Sequence, residues 1–368
     1  MKLAIISRHP APYRDPFLRL ISRDKRFRVE IFNEMDLDAG HDFWDLKQHG
    51  YSARPLYRSR EGRIGRLLSL FRRFVFGDYD FVLWAGFNAI ELTVAMCFSA
   101  ILKRRYGFMA DTVEQRSTSA FKRFVKRMIA RRASLIFVPG RRGVEFWVQN
   151  YGIDASRIVK GLYALDGDVL SRDIEMLRKR RRELRVKLGI AESERVYLMV
   201  ANMIPTRHYP ILAQAFSLFA QSCGHCKLVI CGVGPDLEKM KQYAETHAEI
   251  VVVPGCSFDN MKSLYAIADV YVHGGTEPAS TAIVIGAIAG LPILSSEAVG
   301  CAADVLEDGK SGVRVSNYLS VDAWCEGFRK MMDEENRWST MGACARELSR
   351  KLDVDEIYPR FVEKVLQI

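Results

Sequence analysis

The second half of the chain alternates between short apolar runs and longer stretches of helical period. RVYLMVAN, KLVICG, EIVVVPG, DVYVH, PILSS and SGVRV each have the length and β-branched content of a buried strand, with helix-length segments between them. Strands apolar on both faces belong to parallel sheets covered by helices, so this spacing predicts a doubly wound α/β domain. The first half keeps the rhythm with more interruptions. KLAIIS, RVEIF, YDFVLWAG, YGFMA, SLIFVPG and SRIVKGL read as strands; PFLRLISRD, residues 89–103 and RRGVEFWVQNYG read as helices. Within 54–77, Arg58, Arg60, Arg63, Arg66, Arg72 and Arg73 interleave with Ile64, Leu67, Leu68, Leu70, Phe71, Phe74 and Phe76, which predicts a basic amphipathic helix. Residues 121–132 predict a second basic helix, and 353–368 a final amphipathic one.

Length and charge refine this picture. A chain of 368 residues suits two domains, placed here at 1–170 and 188–352. The intervening 171–187, nearly all charged, reads as a surface crossing between them. No apolar run reaches the roughly 20 residues of a membrane span. The start MKLAIISRHP is broken too soon for a signal peptide, so the expected location is cytoplasmic. The net charge of +10 is uneven, with 36 Lys and Arg against 21 Asp and Glu in residues 1–184, and 18 against 23 in 185–368. A basic half suits an anionic partner. Nucleic acid is disfavoured because the arginine runs lack interleaved stacking platforms or a reader motif. An anionic membrane face fits the same charge, in competition with plain solvated surface.

Cysteine usage adds little. Cys223 and Cys226 have a redox spacing, but they close the helix-like run ILAQAFSLFAQS and precede the strand KLVICG. Reactive pairs instead follow a strand and open a helix, so no redox role is assigned. No second pair completes a zinc site, and nothing else in the sequence calls for a metal or cofactor.

Candidate chemistry lies where strands end. HGGTEPASTAIVIGAIAGLP reads as strand end, polar loop and buried helix, with Glu277 at the helix mouth and the N–H groups of Ala279, Ser280 and Thr281 open to an anion. Pro278 lacks an N–H but suits a first helical turn. NMIPTRHYP brings the cation Arg207, and GVGP brings Gly232 and Gly234, which permit close backbone approach. A cation, a glycine loop and a helix N-terminus on one sheet edge are how a protein holds a nucleoside diphosphate. In the first half, Arg8, His9, Tyr13 and Arg14 follow the first strand, and Asp111 and Glu114 follow YGFMA.

ANMIPTRHYPILAQAF, LVICGVGPDLEKMK and the stretch from PGCSFDNMK through DGKSGVRV resemble, in order and spacing, the donor-binding domain of the family 4 glycosyltransferases. These are retaining sugar-nucleotide enzymes of the GT-B fold, and the resemblance spans about residues 195–315. PAPYRDPF and YGIDASRIVKGLYALD resemble the acceptor domain more loosely. The resemblance implies an α/β GT-B fold, two Rossmann-like doubly wound parallel-sheet domains facing each other across a cleft, with 353–368 rejoining the first. It implies a hexosyltransferase-type reaction with retention, from a nucleoside-diphosphate sugar to a glycan or lipid-linked acceptor, without a metal. The setting would be cell-envelope polysaccharide or lipopolysaccharide assembly, with the protein peripheral on the inner membrane face.

Carried over residue by residue, Glu277 matches the first of the family's two glutamates, at the donor sugar, and Arg207 the basic residue neutralising the diphosphate. Asn202, Gly232, Gly234, Pro278, Ala279, Ser280, Thr281 and Ile285 fall on the donor side, and the first-half loop residues on the acceptor side. The second glutamate, which would hold the ribose, stands here as Ile285, and the arginine partner of Arg207 as Asn202. Each change removes a charge-assisted contact of about 1.5–3 kcal/mol. Those losses leave a second expectation open, a non-catalytic GT-B partner or scaffold with a degenerate donor site.

Overall fold

The computed structural model describes residues 1–34, 50–57, 62–111 and 119–367. These divide into two compact units, one running to Leu165 and resuming at Leu352, the other from Asp166 to Lys351.

The first unit is built on a parallel sheet of β1 (Lys2–Ser7), β2 (Arg28–Asn33), β3 (Ala53–Pro55), β4 (Phe81–Trp84), β5 (Tyr106–Met109), β6 (Leu135–Val138) and β7 (Ile158–Lys160), in the order β3-β2-β1-β4-β5-β6-β7. Side chains alternate across a strand, so β1 feeds two cores. Ala4 and Ile6 join Phe32, Trp84, Phe108 and Trp147 on one face, and Leu3 and Ile5 join Phe17, Ile21 and Phe361 on the other. The helix Val354–Leu366 covers that second face, where Phe361 meets Phe17 edge-on at 4.9 Å. Burying such a ring contributes about 1.5–3 kcal/mol. Gly161, at φ +104°, lets this helix approach, because a Cβ there would lie 2.5 Å from Ile357 Cγ1.

The second unit holds β8 (Arg195–Val200), β9 (Cys226–Gly232), β10 (Ile250–Pro254), β11 (Val270–His273), β12 (Ile293–Ser296) and β13 (Gly312–Val315), all parallel, in the order β10-β9-β8-β11-β12-β13. An aromatic core forms one side, with Tyr197 and Phe216 at 5.4 Å and Phe216 and Phe328 at 5.1 Å between ring centroids. Strand order reverses between β8 and β11. The loops leaving their C-terminal ends therefore turn to opposite faces and open a crevice.

Three expectations change. The single basic helix expected in 54–77 is instead edge strand β3, the helix Arg63–Leu70 and a π-helical turn Phe71–Val75; Arg58 and Arg60 lie outside the described residues. Pro55 keeps Arg54 extended, which favours the strand, and the wider turn carries Phe74 and Val75 into the core. Residues 171–187, expected as a surface crossing, fold into the second unit as parts of the helices Gly167–Arg178 and Arg181–Val186. Arg185 is buried there because its guanidinium meets Asp269 at 2.8 Å and donates to the Ile267 carbonyl at 2.9 Å. The helix after Glu277, expected to open with the N–H groups of Ala279, Ser280 and Thr281 and with Pro278 in its first turn, begins at Thr281 and runs to Ile288, with Ser280 as its N-cap. Among the described residues, no helix is long and apolar enough to cross a membrane.

Candidate functional site

Three loops at the C-terminal edge of the second sheet are tied together by backbone hydrogen bonds. The loop after β8 ends in a 3-10 turn, Pro205–Arg207, and is the hub. Met203 N–H donates to the Val233 carbonyl at 2.7 Å, Asp236 N–H to the Met203 carbonyl at 3.0 Å, and Thr276 N–H to the Thr206 carbonyl at 3.1 Å. Gly234, at φ +144°, makes both approaches to Met203 possible, because a Cβ there would fall 2.4 Å from the Met203 oxygen and 3.1 Å from its nitrogen. Gly232 is equally constrained, with its Cβ position 1.9 Å from the Ala201 oxygen.

Glu277 sits at the centre, 7% exposed. Its Oε2 lies 2.9 Å from Arg207 Nη1 as an ion pair, without the alignment of a hydrogen bond. Its Oε1 is hydrogen-bonded to Nε2 of His273, the last residue of β11 and fully buried. Gly275 leaves room for the pair; a Cβ there would stand 2.0 Å from Glu277 Oε2. Behind the carboxylate, Gly300 N–H donates to the Glu277 carbonyl at 2.9 Å and fixes the loop. Burial pushes the Glu277 carboxyl up, but His273 and then Arg207 outweigh it and hold the group below the usual carboxylate range.

Several buried polar atoms here have no hydrogen-bond partner among the described residues, namely Arg207 Nε, His208 Nε2 and Asp236 Oδ2, while Glu277 Oε2 has its ion pair with Arg207. Such atoms cost about 1–3 kcal/mol each when left unsatisfied, so their gathering at one sheet edge points to a polar ligand. His208 is left-handed at φ +54°, an unusual conformation for a residue with a Cβ. Burial, reinforced by Arg207 and opposed by Glu277, lowers its imidazole pKa.

Of the residues singled out from sequence, Arg207 and Glu277 are brought into direct contact. Pro278, Ala279 and Thr281 are half-buried around the helix start, and Ser280 is buried. Asn202 is exposed on the same loop as Arg207, whereas Ile285 is 1% exposed inside the helix. His273, His208, Tyr271 and Asp236 were missed. The one signal for His273 was its i, i+4 spacing from Glu277 across a glycine pair. His208 showed only as the residue following Arg207.

In the first unit, Arg14 Nη1 donates to Ser7 Oγ at 2.7 Å and to the His9 carbonyl at 3.2 Å. Its guanidinium lies 5.7 and 5.5 Å from the ring centroids of Tyr13 and Tyr163. The Tyr13 hydroxyl and His9 Nε2 are 3.5 Å apart. Burial pushes both phenols up, Tyr163 furthest. Tyr163, unnoticed in the sequence, packs edge-on against Tyr13 at 5.4 Å and against the Arg14 guanidinium, whereas Arg8 and Asp111 are exposed beside them. Glu114 lies outside the described residues. Among the described residues no three His, Cys, Asp or Glu side chains are gathered as a metal site.

Residues 180–348, just under half of the chain, match the family model described as glycosyl transferases group 1. A search of curated proteins finds no match. Among solved structures, HepE of Anabaena in complex with UDP-glucose is similar at a TM-score of 0.77 and 19% identity, covering 100% of both chains. Sucrose-phosphate synthase from Thermosynechococcus elongatus gives a TM-score of 0.71 at 14% identity, covering 100% of this chain and 98% of that one. WaaG, a glycosyltransferase involved in lipopolysaccharide biosynthesis, gives 0.70 at 14% identity, covering 99% of each. At these identities the likeness establishes the fold, two parallel-sheet Rossmann-like domains of the GT-B class. With the family match, it supports a glycosyltransferase.

Proposed function

We propose that this chain is a retaining, hexosyltransferase-type glycosyltransferase that moves a sugar from a nucleoside-diphosphate donor to a glycan or lipid-linked acceptor. The observation that carries this reading is the Arg207–Glu277 pair at the β8/β11 reversal, with buried polar atoms of Arg207, His208 and Asp236 that lack hydrogen-bond partners among the described residues. Arg207 is the group for the donor diphosphate, and it stabilises the leaving group as charge builds on the departing phosphate oxygen. Glu277, an acceptor of hydrogen bonds while ionised, suits the hydroxyls of the donor sugar. The helix start near Ser280 and Thr281 adds N–H donors. No metal has a part in this reading, since the cation at the phosphate is Arg207. HepE, whose structure holds UDP-glucose, makes uridine nucleotides the first to try.

Titration with UDP, GDP, ADP and their glucose conjugates tests the proposal, with binding in the micromolar to low-millimolar range expected. Absence of binding to all of them at millimolar concentration would favour the competing reading, a non-catalytic scaffold. Ile285 and Asn202, neither of them charged, are the observations on its side.

For the acceptor, the first-unit cluster of Arg8, His9, Tyr13, Arg14 and Asp111 is the proposed side. An anionic, membrane-held acceptor in envelope polysaccharide or lipopolysaccharide assembly suits the surface of the same unit. The helices Arg63–Leu70, Ile90–Ile101 and Ala120–Arg132 expose Ile64, Leu68, Ile101, Phe121 and Phe124 beside basic residues such as Arg63, Lys122 and Arg131. Co-sedimentation with anionic vesicles at low salt is expected, and its loss in Phe121→Ser/Phe124→Ser protein; no sedimentation of the unaltered protein sinks this part.

A further inference from the structure

His273 has both ring nitrogens engaged. Nε2 meets Glu277 Oε1, and Nδ1 lies 3.2 Å from the Tyr271 hydroxyl. That hydroxyl is also 3.2 Å from the carbonyl of Val200, the last residue of β8. A chain of polar contacts therefore runs from β8 through Tyr271, His273 and Glu277 to Arg207, joining the two strands between which the sheet order reverses. Its members have little freedom to move. Tyr271 stacks on Tyr265 at 5.8 Å, and the helix Thr281–Ile288 presses on it at Gly286, where a Cβ would lie 2.7 Å from Tyr271 Cγ. His273 stacks on Tyr271 at 6.0 Å and is wholly buried.

An ionised carboxylate only accepts hydrogen bonds, so the ring nitrogen facing Glu277 carries a proton. The Tyr271 hydroxyl meets Nδ1, donating to it when that nitrogen is bare, or accepting from it and donating to the Val200 carbonyl when the ring holds both protons. Arg207 has a second task in the proposed reaction. A diphosphate competes for its guanidinium, whereas among the described residues Nε2 of His273 meets the Glu277 carboxylate alone.

Resting on the glycosyltransferase reading, we propose that His273 is a positioning residue, whose Nε2–H holds Glu277 by Oε1 so that Oε2 remains aimed and charged for the donor sugar when Arg207 turns to the diphosphate. The ionisable groups around Glu277 among the described residues are His273 and Tyr271 on β11, Arg207 and His208 on the loop after β8, and Tyr209 beside them. The helix Thr281–Ile288 contributes none.

The test compares His273→Leu, which removes the donor, with His273→Gln, whose amide N–H reaches in the same direction. UDP affinity is measured by calorimetry and kcat/KM for UDP-glucose across pH. UDP affinity should stay within about threefold in both variants, because the imidazole does not face the phosphates. His273→Leu should lose about 100-fold in kcat/KM, the scale of one charge-assisted hydrogen bond. Its acid limb should move to higher pH, since a carboxylate deprived of a donor binds protons more readily. His273→Gln should recover at least tenfold of the loss and restore the acid limb. A merely structural histidine would change the melting temperature and yield but not the acid limb of the folded enzyme. An unmoved limb, or His273→Gln no better than His273→Leu, overturns the inference and leaves the glycosyltransferase reading standing. Unaltered protein that neither binds UDP nor turns over any sugar nucleotide overturns both.

Discussion

Glu277→Gln keeps the shape of the side chain and removes its charge, and the site geometry makes opposite demands on two measurements. In the resting protein, Arg207, its side chain 16% exposed, loses its partner at 2.9 Å. The gross attraction at that separation is about 6 kcal/mol with an effective dielectric of 20. Desolvation offsets part of it, and breaking one partner of a buried pair typically costs about 3–5 kcal/mol. Arg207 can turn toward solvent, so the lower end applies. The second unit should melt about 6–12 °C earlier, at roughly 2–4 °C per kcal/mol. Binding of bare UDP should change in the other direction. The diphosphate no longer competes with Glu277 for the guanidinium or faces its negative charge, so affinity rises about tenfold, near 1.4 kcal/mol. Turnover of UDP-glucose nonetheless falls about 100-fold, because the sugar hydroxyls lose a charged acceptor. Thermal unfolding, calorimetry with UDP and initial rates with UDP-glucose read the three effects. If UDP affinity falls together with turnover, Glu277 helps to bind the phosphates and the division of roles between it and Arg207 is wrong.

Gly275→Ala places a methyl 2.0 Å from Glu277 Oε2 and 3.0 Å from Arg207 Cδ, so the pair must part. At least a tenfold loss of kcat is expected, with far-UV circular dichroism unchanged. Acid should act through the same carboxylate. Its folded pKa lies below the ordinary value, so its stabilisation is complete above the unfolded pKa, about 4.3, and is lost as pH falls through the depressed folded one. The melting gap between unaltered protein and Glu277→Gln should therefore be widest near neutrality and close as pH drops below about 4; a gap constant down to pH 3 contradicts the ion pair. Ile285→Glu puts a carboxylate at a position 1% exposed, and burial without a partner costs several kcal/mol. A large fall in melting temperature without tighter UDP is expected. An unchanged melting temperature with about tenfold tighter UDP would instead show that the side chain reaches the ribose.

The sequence alone determined the strands of both sheets except the short edge strand β3, since runs such as KLVICG and RVYLMVAN are apolar on both faces and only a covered parallel strand buries both. It also located the loops of the site, because strand ends, glycines and a proline mark them locally, and Arg207 and Glu277 stood out as charges in those loops. Tertiary structure decided what each charge meets. The run ending at Lys187 looked solvated by composition, yet Arg185 is buried because Asp269, far along the chain, supplies its counter-charge. The spacing of Cys223 and Cys226 was visible, but the 2.8 Å between their sulfurs depends on Gly224 and His225 at φ +61° and +33°. His273 looked like the end of a strand, and it became part of the site only because Tyr271 and Glu277 close on its two nitrogens. Periodicity is a local property and reports which face is buried. Pairing is a through-space property: Thr206 and Thr276, whose backbone bond brings the loops of Arg207 and Glu277 together, are 70 residues apart, and only the folded sheet sets that distance.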